Sequence, residues 1–272
     1  ETLLMLPIAR GFYKAPRFKG ILFRRTFPEL EKSLILRSES DGYYSGTGGQ
    51  YNRQIRRWRW PSGAILDFAY AEHENDVRKY DTTEYNYVGW DELTSFTEFQ
   101  YMYITFSRAR TSDSRLPVLV RSGTNPGNIG HGWVRKRFVE PAPFGTIIRD
   151  KLTGMLRIFI QSLVTDNKYI MEADPGYIRG LEMLPEAEKR AKLYGDWWTF
   201  SGQVFEDWRM EPFIDEPGNA RHVIPAFDVP SYWPVVLATD WGYSAMTWNG
   251  FFAASPERRC YLFKEYACTR TK

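Results

Sequence analysis

Three short apolar runs, each ending in polar residues, constrain the fold of this chain most strongly. In sequence order they are GILFRRT (20–26), EYNYVGW (84–90) with Asp-Glu directly behind it, and LPVLVRSGT (116–124). Continuous apolar runs of this length are typical of strands covered on both faces. Helical patterns separate the runs, and strands that alternate with helices favour a parallel sheet. The sequence therefore predicts an α/β fold through about residue 165.

The remaining segments complete this prediction. Residues 38–52 are rich in Gly, Ser, Asp and Tyr, which indicates a loop. Residues 53–70 predict a β-hairpin around Pro-Ser-Gly, and residues 146–164 predict paired strands. Helices are predicted at 1–12, 27–37, 97–110 and 133–139, with two more in 174–197, and a second group of strands is predicted at 233–242, 246–254 and 260–267.

A change of composition predicts where the chain divides. Residues 201–232 are rich in Pro and turn-forming residues. We therefore expect a first domain at 1–200, a linker at 201–232 and the beginning of a second domain at 233–272.

Composition narrows the class of protein. The chain has 272 residues and 43% hydrophobic residues, enough for a sizeable core. Its 36 basic and 33 acidic residues leave a net charge of +3, which does not by itself indicate a nucleic-acid binder. Two cysteines and three histidines lack metal-ligand spacing. No apolar run approaches the roughly 20 residues that span a membrane.

Asp91 and Glu92 form an acid pair directly behind the second apolar run. In open α/β sheets, ligands bind beyond the carboxyl ends of the strands. A nucleoside triphosphate site needs one acid there for Mg²⁺ and a second to orient and deprotonate the attacking water. The alternative is that Asp91 caps the following helix, since Asp is a favoured N-cap.

The residues at the end of the third apolar run also favour a nucleotide site. Ser122, Gly123, Thr124 and Asn125 follow one another there, as a strand of small polar residues next in sequence to the acid pair. In nucleotide-driven motors such an element senses the γ-phosphate. Taken alone, the same residues also fit a strand end followed by an Asn-Pro turn.

The ordered set of motifs resembles one known family. YNYVGWDELTSF, FSRAR, SGTNPGNIGHGWVRKRF, KLYGDW with GQVFEDW, and ATDWGYS are together similar to the large terminase subunit of tailed bacteriophages. The resemblance covers nearly the whole chain. It implies a P-loop NTPase-like sheet of the RecA type, flanked by helices and followed by the first strands of an RNase H-like nuclease.

The resemblance also implies roles for individual residues. Asp91 corresponds to the Walker B aspartate of the magnesium shell and Glu92 to the catalytic base. Ser122, Gly123, Thr124 and Asn125 correspond to the coupling motif. Asp240 corresponds to the first metal-binding aspartate of the nuclease. The implied cofactors are ATP with Mg²⁺ and, for the nuclease, Mg²⁺ or Mn²⁺.

The family has an arginine that stabilises the transition state, worth roughly 10³–10⁵ in rate where it exists. Many relatives carry it shortly before the acid pair. Three candidates follow from this chain: Arg78, Arg108 and Arg110. Each could equally be a solvated surface arginine.

Two parts of the family pattern are absent from the sequence. The 272 residues contain no Gly-Lys pair, so we expect the phosphate-binding loop to precede residue 1. Asp240 is the one nuclease carboxylate clearly in place, and Glu265 is interpreted as structural. We therefore expect a fragment with negligible ATPase and nuclease activity by itself.

Two arginine clusters are candidate DNA contacts. RQIRRWRW carries the first and WVRKRF the second. Phosphate-directed arginines would suit a motor whose DNA contacts are independent of base sequence. A hairpin with a buried tryptophan side and a solvated arginine side explains the first cluster equally well. The candidates are Arg53, Arg56, Arg57, Arg59, Arg135 and Arg137.

Together these expectations describe an ATP-driven motor that moves viral double-stranded DNA into the procapsid and cuts concatemers. The implied partners are double-stranded DNA, the portal protein, the small terminase subunit and further copies in a ring, expected to be a pentamer, with no membrane. The implied location is the host cytoplasm, transiently at the portal and outside the finished virion. The alternatives are a DNA helicase-like ATPase and an inactive prophage-remnant module that binds DNA or assists assembly.

Overall fold

The computed structural model describes residues 2–40, 42–151, 153–174, 176–198, 222–241 and 247–268. The chain divides into two compact units, residues 1–206 and residues 207–272. Most of the predicted linker at 201–232 lies outside the described residues, so the predicted domain limits stay a prediction.

The first unit contains eight short strands and eight α-helices among its described residues. The strands are β1 Lys19–Arg24, β2 Gln50–Asn52, β3 Arg57–Arg59, β4 Ile65–Tyr70, β5 Tyr87–Asp91, β6 Leu119–Gly123, β7 Ile148–Arg149 and β8 Leu156–Arg157. The helices are α1 Thr2–Ala9, α2 Phe27–Leu30, α3 Leu36–Ser40, α4 Glu98–Ser107, α5 His131–Val134, α6 Lys168–Ala173, α7 Tyr177–Glu182 and α8 Glu186–Leu193.

The central sheet has six strands in the order β2-β3-β4-β1-β5-β6. Strands β4, β1, β5 and β6 are parallel, and β2 and β3 run antiparallel beside β4. The α/β prediction is confirmed, but the sheet is mixed rather than parallel. The reason is the predicted hairpin, which β3 and β4 form, because a tight turn can join only antiparallel strands.

The apolar runs are continuous because both faces of the central strands are covered. Leu22 and Tyr87 pack into one hydrophobic cluster, and Phe23 and Trp90 pack into another. Trp90 has no exposed surface and stacks on Phe23 at a centroid distance of 4.5 Å. Strands β1 and β5 are therefore held rigidly, and so are the residues at their ends.

Strand β6 differs from its prediction as a buried strand. Its last three residues, Arg121–Gly123, are exposed. Among the described strands β6 is the last at its end of the sheet. Within the described part of the chain, one side of β6 therefore has no neighbouring strand, which a run of apolar residues does not reveal.

Most of the other predicted elements are present. Helices lie within every segment where one is predicted, and 146–164 contains the small hairpin of β7 and β8. The predicted loop at 38–52 ends in β2, an edge strand whose pairing with β3 the sequence pattern does not show. No helix in the described part of the chain is long and apolar enough to cross a bilayer.

The second unit contains the three strands expected there: β9 Val235–Asp240, β10 Thr247–Ala254 and β11 Cys260–Cys268. They form an antiparallel sheet in the order β11-β10-β9. Residues 242–246, between β9 and β10, lie outside the described residues.

Candidate functional site

The parallel strands bring the predicted nucleotide-site residues to one edge of the sheet. Strands β1 and β5 are paired so that Phe23 lies opposite Trp90, and β5 and β6 are paired so that Asp91 lies opposite Gly123. The three strands therefore end side by side. We call their carboxyl ends, with the residues that directly follow, the Asp91 edge.

Asp91 is ion-paired at this edge with Arg24, the last residue of β1. The Nη1 atom of Arg24 lies 2.6 Å from Oδ2 of Asp91, and both side chains are about three-quarters buried. The Nε atom of Arg24 lies 3.4 Å from the Glu29 carboxylate in α2. Arg24 is a site residue that the sequence motifs did not predict. The basic end of GILFRRT was its one signal, because the sheet order that places β1 beside β5 is not written in the sequence.

Glu92 has a backbone conformation that supports a functional role. Its φ is +53°, in the left-handed region that non-glycine residues seldom adopt and that carries a conformational cost. The alternative of a helix cap is wrong for Asp91. Helix α4 begins at Glu98, and the side chain of Thr97 is its cap, accepting a hydrogen bond from the backbone N–H of Gln100 at 3.3 Å.

The surroundings of Glu92 favour its protonated form. Burial raises the pKa of the Glu92 carboxyl above its ordinary value, and the neighbouring Asp91 charge raises it further. Arg24 and a backbone hydrogen bond with Asn125 act in the opposite direction. A carboxylate with a raised pKa is a better proton acceptor near neutral pH than an ordinary surface glutamate.

The ionised form of Glu92 is expected to destabilise the fold. Because the folded-state pKa of Glu92 is raised, the stability that its protonated form contributes is fully present below the unfolded-state pKa. That stability is lost as pH rises through the folded-state pKa. Glu92→Gln should therefore raise the free energy of unfolding at pH 7 by about 0.5–2 kcal/mol. The gain should shrink as pH falls through the raised folded-state pKa toward the ordinary Glu pKa of about 4.3. Urea unfolding at both pH values checks this, with exposed Glu72→Gln as the control; an equal gain at both would contradict the burial account.

Thr124 and Asn125 are tied to the segment behind Glu92. The hydroxyl of Thr124 lies 3.0 Å from the backbone N–H of Thr94, which donates to it, and 2.9 Å from the Thr94 hydroxyl. The Thr94 hydroxyl also donates to the Asn125 carbonyl oxygen at 3.0 Å. Ser122 and Gly123, by contrast, are exposed. Of the four residues predicted to form the coupling motif, Thr124 and Asn125 thus contact residues 91–96, which we call the acid-pair segment. The contact is made through Thr94, which was not predicted as a site residue.

The three candidate arginine fingers are placed differently. Arg108 donates to the backbone carbonyl of Asp81, and the N–H of Arg110 donates to the carbonyl of Tyr85. Tyr85 precedes β5, so Arg108 and Arg110 lie at the amino end of this strand, roughly 20 Å along the chain from Asp91. The structure therefore does not bring them to the Asp91 edge.

Arg78 is engaged by aromatic side chains. Its guanidinium lies over the rings of Phe99 and Tyr103 in α4, at 5.9 and 5.3 Å. Its Nε donates to the side chain of Asn75 at 3.3 Å. The arginine that contacts an acid-pair residue within the described chain is Arg24 rather than any of the three predicted ones.

The candidate DNA contacts are largely engaged within the chain. The tryptophans of the first cluster, Trp58 and Trp60, are buried, as expected for a two-faced hairpin. Arg56 lies over the rings of Phe27 and Tyr70, and Arg59 is exposed. DNA contact by these arginines stays a prediction. The ion pairs are Arg53–Glu39, Arg57–Asp67, Arg135–Glu140 and Arg137–Asp150.

In the second unit, Asp240 is the last residue of β9. It lies opposite Trp248 of β10, whose indole N–H donates to Glu265 of β11 at 3.1 Å. The pairing puts Asp240, Trp248 and Glu265 on one face of the sheet, because residues two apart on a strand share a face. The predicted metal role of Asp240 stays a prediction.

The donor atoms at the Asp91 edge suit a hard cation. They are carboxylate and hydroxyl oxygens, the ligands that Mg²⁺ prefers. The described residues contain no cluster of three or more His, Cys, Asp or Glu side chains that could hold a metal by themselves. Mg²⁺ in nucleotide sites is usually held by one or two carboxylates together with phosphates, so the residues present fit it.

Comparisons with known proteins found similarity among solved structures. No protein-family model and no curated protein matches the chain. The chain is similar to the large terminase from a thermophilic bacteriophage in complex with ADP, with 17% identity, a TM-score of 0.49 and coverage of 93% of this chain and 56% of that one. For the same terminase in complex with ATP-gamma-S, identity is 15%, the TM-score is 0.46 and coverage is 93% and 55%. The chain thus spans little more than half the length of these terminases, whose family its motifs resemble.

Proposed function

We propose that the first unit is part of an ATP-hydrolysing motor of the large-terminase type and that its Asp91 edge is the metal and water side of the ATPase site. One observation carries the proposal. An acid pair ends a rigid central strand, directly beside a parallel strand whose following threonine contacts the acid-pair segment. The position supports the proposal, because ligands bind beyond the carboxyl ends of strands in α/β sheets and nucleotide hydrolysis uses acids to hold Mg²⁺ and to position the attacking water.

Each residue of the acid pair has a distinct task. Asp91 would hold Mg²⁺, which neutralises charge on the phosphates when it is bound. Glu92 accepts a proton from the attacking water, for which its raised pKa suits it. Arg24 holds the Asp91 carboxylate in place through their ion pair. Phosphate binding needs further groups, since the 272 residues contain no Gly-Lys pair.

Thr124 and Asn125 would report the state of the site. They contact Thr94, two residues behind the proposed base, and Asn125 also bonds to Glu92. A shift of Glu92 on hydrolysis would therefore move the loop that follows β6. That loop is the proposed start of the mechanical step.

The second unit is proposed to belong to an RNase H-like nuclease, with Asp240 as a ligand of Mg²⁺ or Mn²⁺. Its antiparallel strands support this over a helicase, because a second RecA-like domain would have a parallel sheet. DNA translocation, concatemer cutting, the portal and small-subunit partners, the ring assembly and the location in the host cytoplasm are part of the same proposal.

Two assays on the full gene-encoded chain test the proposal together. We expect Mg²⁺-dependent ATP hydrolysis that double-stranded DNA stimulates, and cleavage of DNA in Mg²⁺ or Mn²⁺. Absence of hydrolysis with DNA present would overturn the motor. Hydrolysis without cleavage would overturn only the nuclease.

A further inference from the structure

His131 is a buried histidine that the proposed chemistry does not use. It is the first residue of α5 and is 4% exposed. Its Nδ1 atom accepts a hydrogen bond from the Gly127 N–H at 3.0 Å, and its Nε2 atom lies 3.0 Å from the carbonyl oxygen of Trp197. The first bond needs a lone pair on Nδ1 and the second needs a proton on Nε2. The two contacts together fix the neutral Nε2–H tautomer.

The first contact leads to the proposed ATPase site. Gly127 lies in the loop between β6 and α5 and has a φ of +116°. Two and three residues earlier, Asn125 and Thr124 contact Thr94. A displacement at the Asp91 edge would therefore reach His131 through three residues of chain.

The second contact leads to the last described segment of the first unit, residues 196–198. Trp197 is 3% exposed, and its ring stacks on His131 at 5.4 Å. Asp196 pairs with Arg190 of α8 at 3.2 Å. Arg135, one turn after His131, lies 5.1 Å from the ring of Trp198. The segment is thus fixed to α8 on one side and to α5 on the other.

We propose that His131 is a positioning residue that transmits changes in the β6–α5 loop to residues 196–198. The inference rests on the proposed ATPase function, because nucleotide state is the signal transmitted. One ring holds two backbone groups from segments about 70 residues apart, so neither group can move far without the other. The second unit follows these residues in sequence.

Two conservative variants separate the contacts. The side-chain oxygen of Asn lies near the position of Nδ1, so His131→Asn keeps an acceptor for Gly127 and loses the donor to Trp197. The longer His131→Gln places its amide near the position of Nε2, so it keeps the donor and loses the acceptor. Gly132→Ala is the matched control, because its added methyl group meets no neighbouring atom within 4 Å.

Two readouts on the full gene-encoded chain test the transmission. They are the kcat and KM of ATP hydrolysis and the amide hydrogen exchange of residues 196–198 with and without nucleotide. For His131→Asn we expect unchanged kcat, faster exchange at 196–198 and no response of that exchange to nucleotide. For His131→Gln we expect slow exchange that no longer responds to nucleotide. Its kcat should fall about tenfold at constant KM, within the ~100-fold that about 1 Å of misplacement can cost.

The outcomes separate this inference from the proposed function. A nucleotide response at 196–198 that survives in both variants would overturn the proposed role of His131. An equal loss of kcat in both variants would overturn it too. Hydrolysis by the wild type without any nucleotide response at 196–198 would overturn the transmission alone. Absence of hydrolysis would overturn the proposed function and this inference with it.

Discussion

Glu92→Gln should abolish steady-state ATP hydrolysis by the full gene-encoded chain while leaving nucleotide binding intact. Gln keeps the size and polarity of Glu92 but cannot accept the proton of the attacking water. General-base catalysis typically contributes about 10²–10⁴ in rate, so we expect a loss of that size in kcat. The Kd for ATP should not change, because a carboxylate and the phosphates repel each other, so Glu92 is not expected to be a phosphate ligand.

The measurement is single-turnover hydrolysis together with equilibrium binding of ATP. Glu98→Gln, at an exposed position six residues later, is the matched control and should hydrolyse ATP at the wild-type rate. Substantial hydrolysis by Glu92→Gln would remove Glu92 from the base role. Loss of ATP binding would instead make it a ligand of the nucleotide.

Gly130→Ala should be among the most destabilising single-methyl changes in the first unit. A Cβ atom at this position would meet the backbone oxygen of Phe96, the indole nitrogen of Trp133 at 2.7 Å and the backbone oxygen of Thr94 at 2.8 Å. The oxygen atoms of Phe96 and Thr94 belong to the backbone, so they cannot move aside by a change of side-chain rotamer. Overpacking of this kind costs about 1–3 kcal/mol, and we expect a loss at the upper end of that range.

Gly132→Ala, two residues later, should instead raise the free energy of unfolding. Its position is exposed and helical, and an added Cβ meets nothing within 4 Å. Alanine there should stabilise the fold by about 0.5–1 kcal/mol, since glycine lowers helix stability by that amount. Urea unfolding of both variants is the measurement. Similar stabilities for the two would contradict the close packing of the loop before α5 against Thr94 and Phe96.

The sequence predicted where the strands of the site lie better than it predicted which segments contact one another. The apolar run before Asp91 identified β5 because a strand covered on both faces reads as continuous, and the turn in PSGA identified the β3–β4 hairpin. Both signals are local, since they depend on residues that follow one another in the chain.

What could not be predicted depends on contacts between distant segments. The pairing of Arg24 with Asp91 spans 67 positions and requires β1 to lie beside β5. The hydrogen bond between Thr94 and Thr124 likewise joins segments 30 positions apart. The exposure of β6 follows from its place in the sheet order, which a single strand's sequence does not contain.

The central claim is that Mg²⁺ and ATP bind at the Asp91 edge. Mn²⁺ prefers the same oxygen ligands as Mg²⁺ and broadens the NMR signals of nearby nuclei. We predict that Mn²⁺ with ATP, added to the full gene-encoded chain, broadens the amide signals of Asp91, Glu92 and Thr124 most strongly among those of the first unit, and that Asp91→Asn removes the effect there. Sharp signals at these three residues, with ATP bound elsewhere, would contradict the claim.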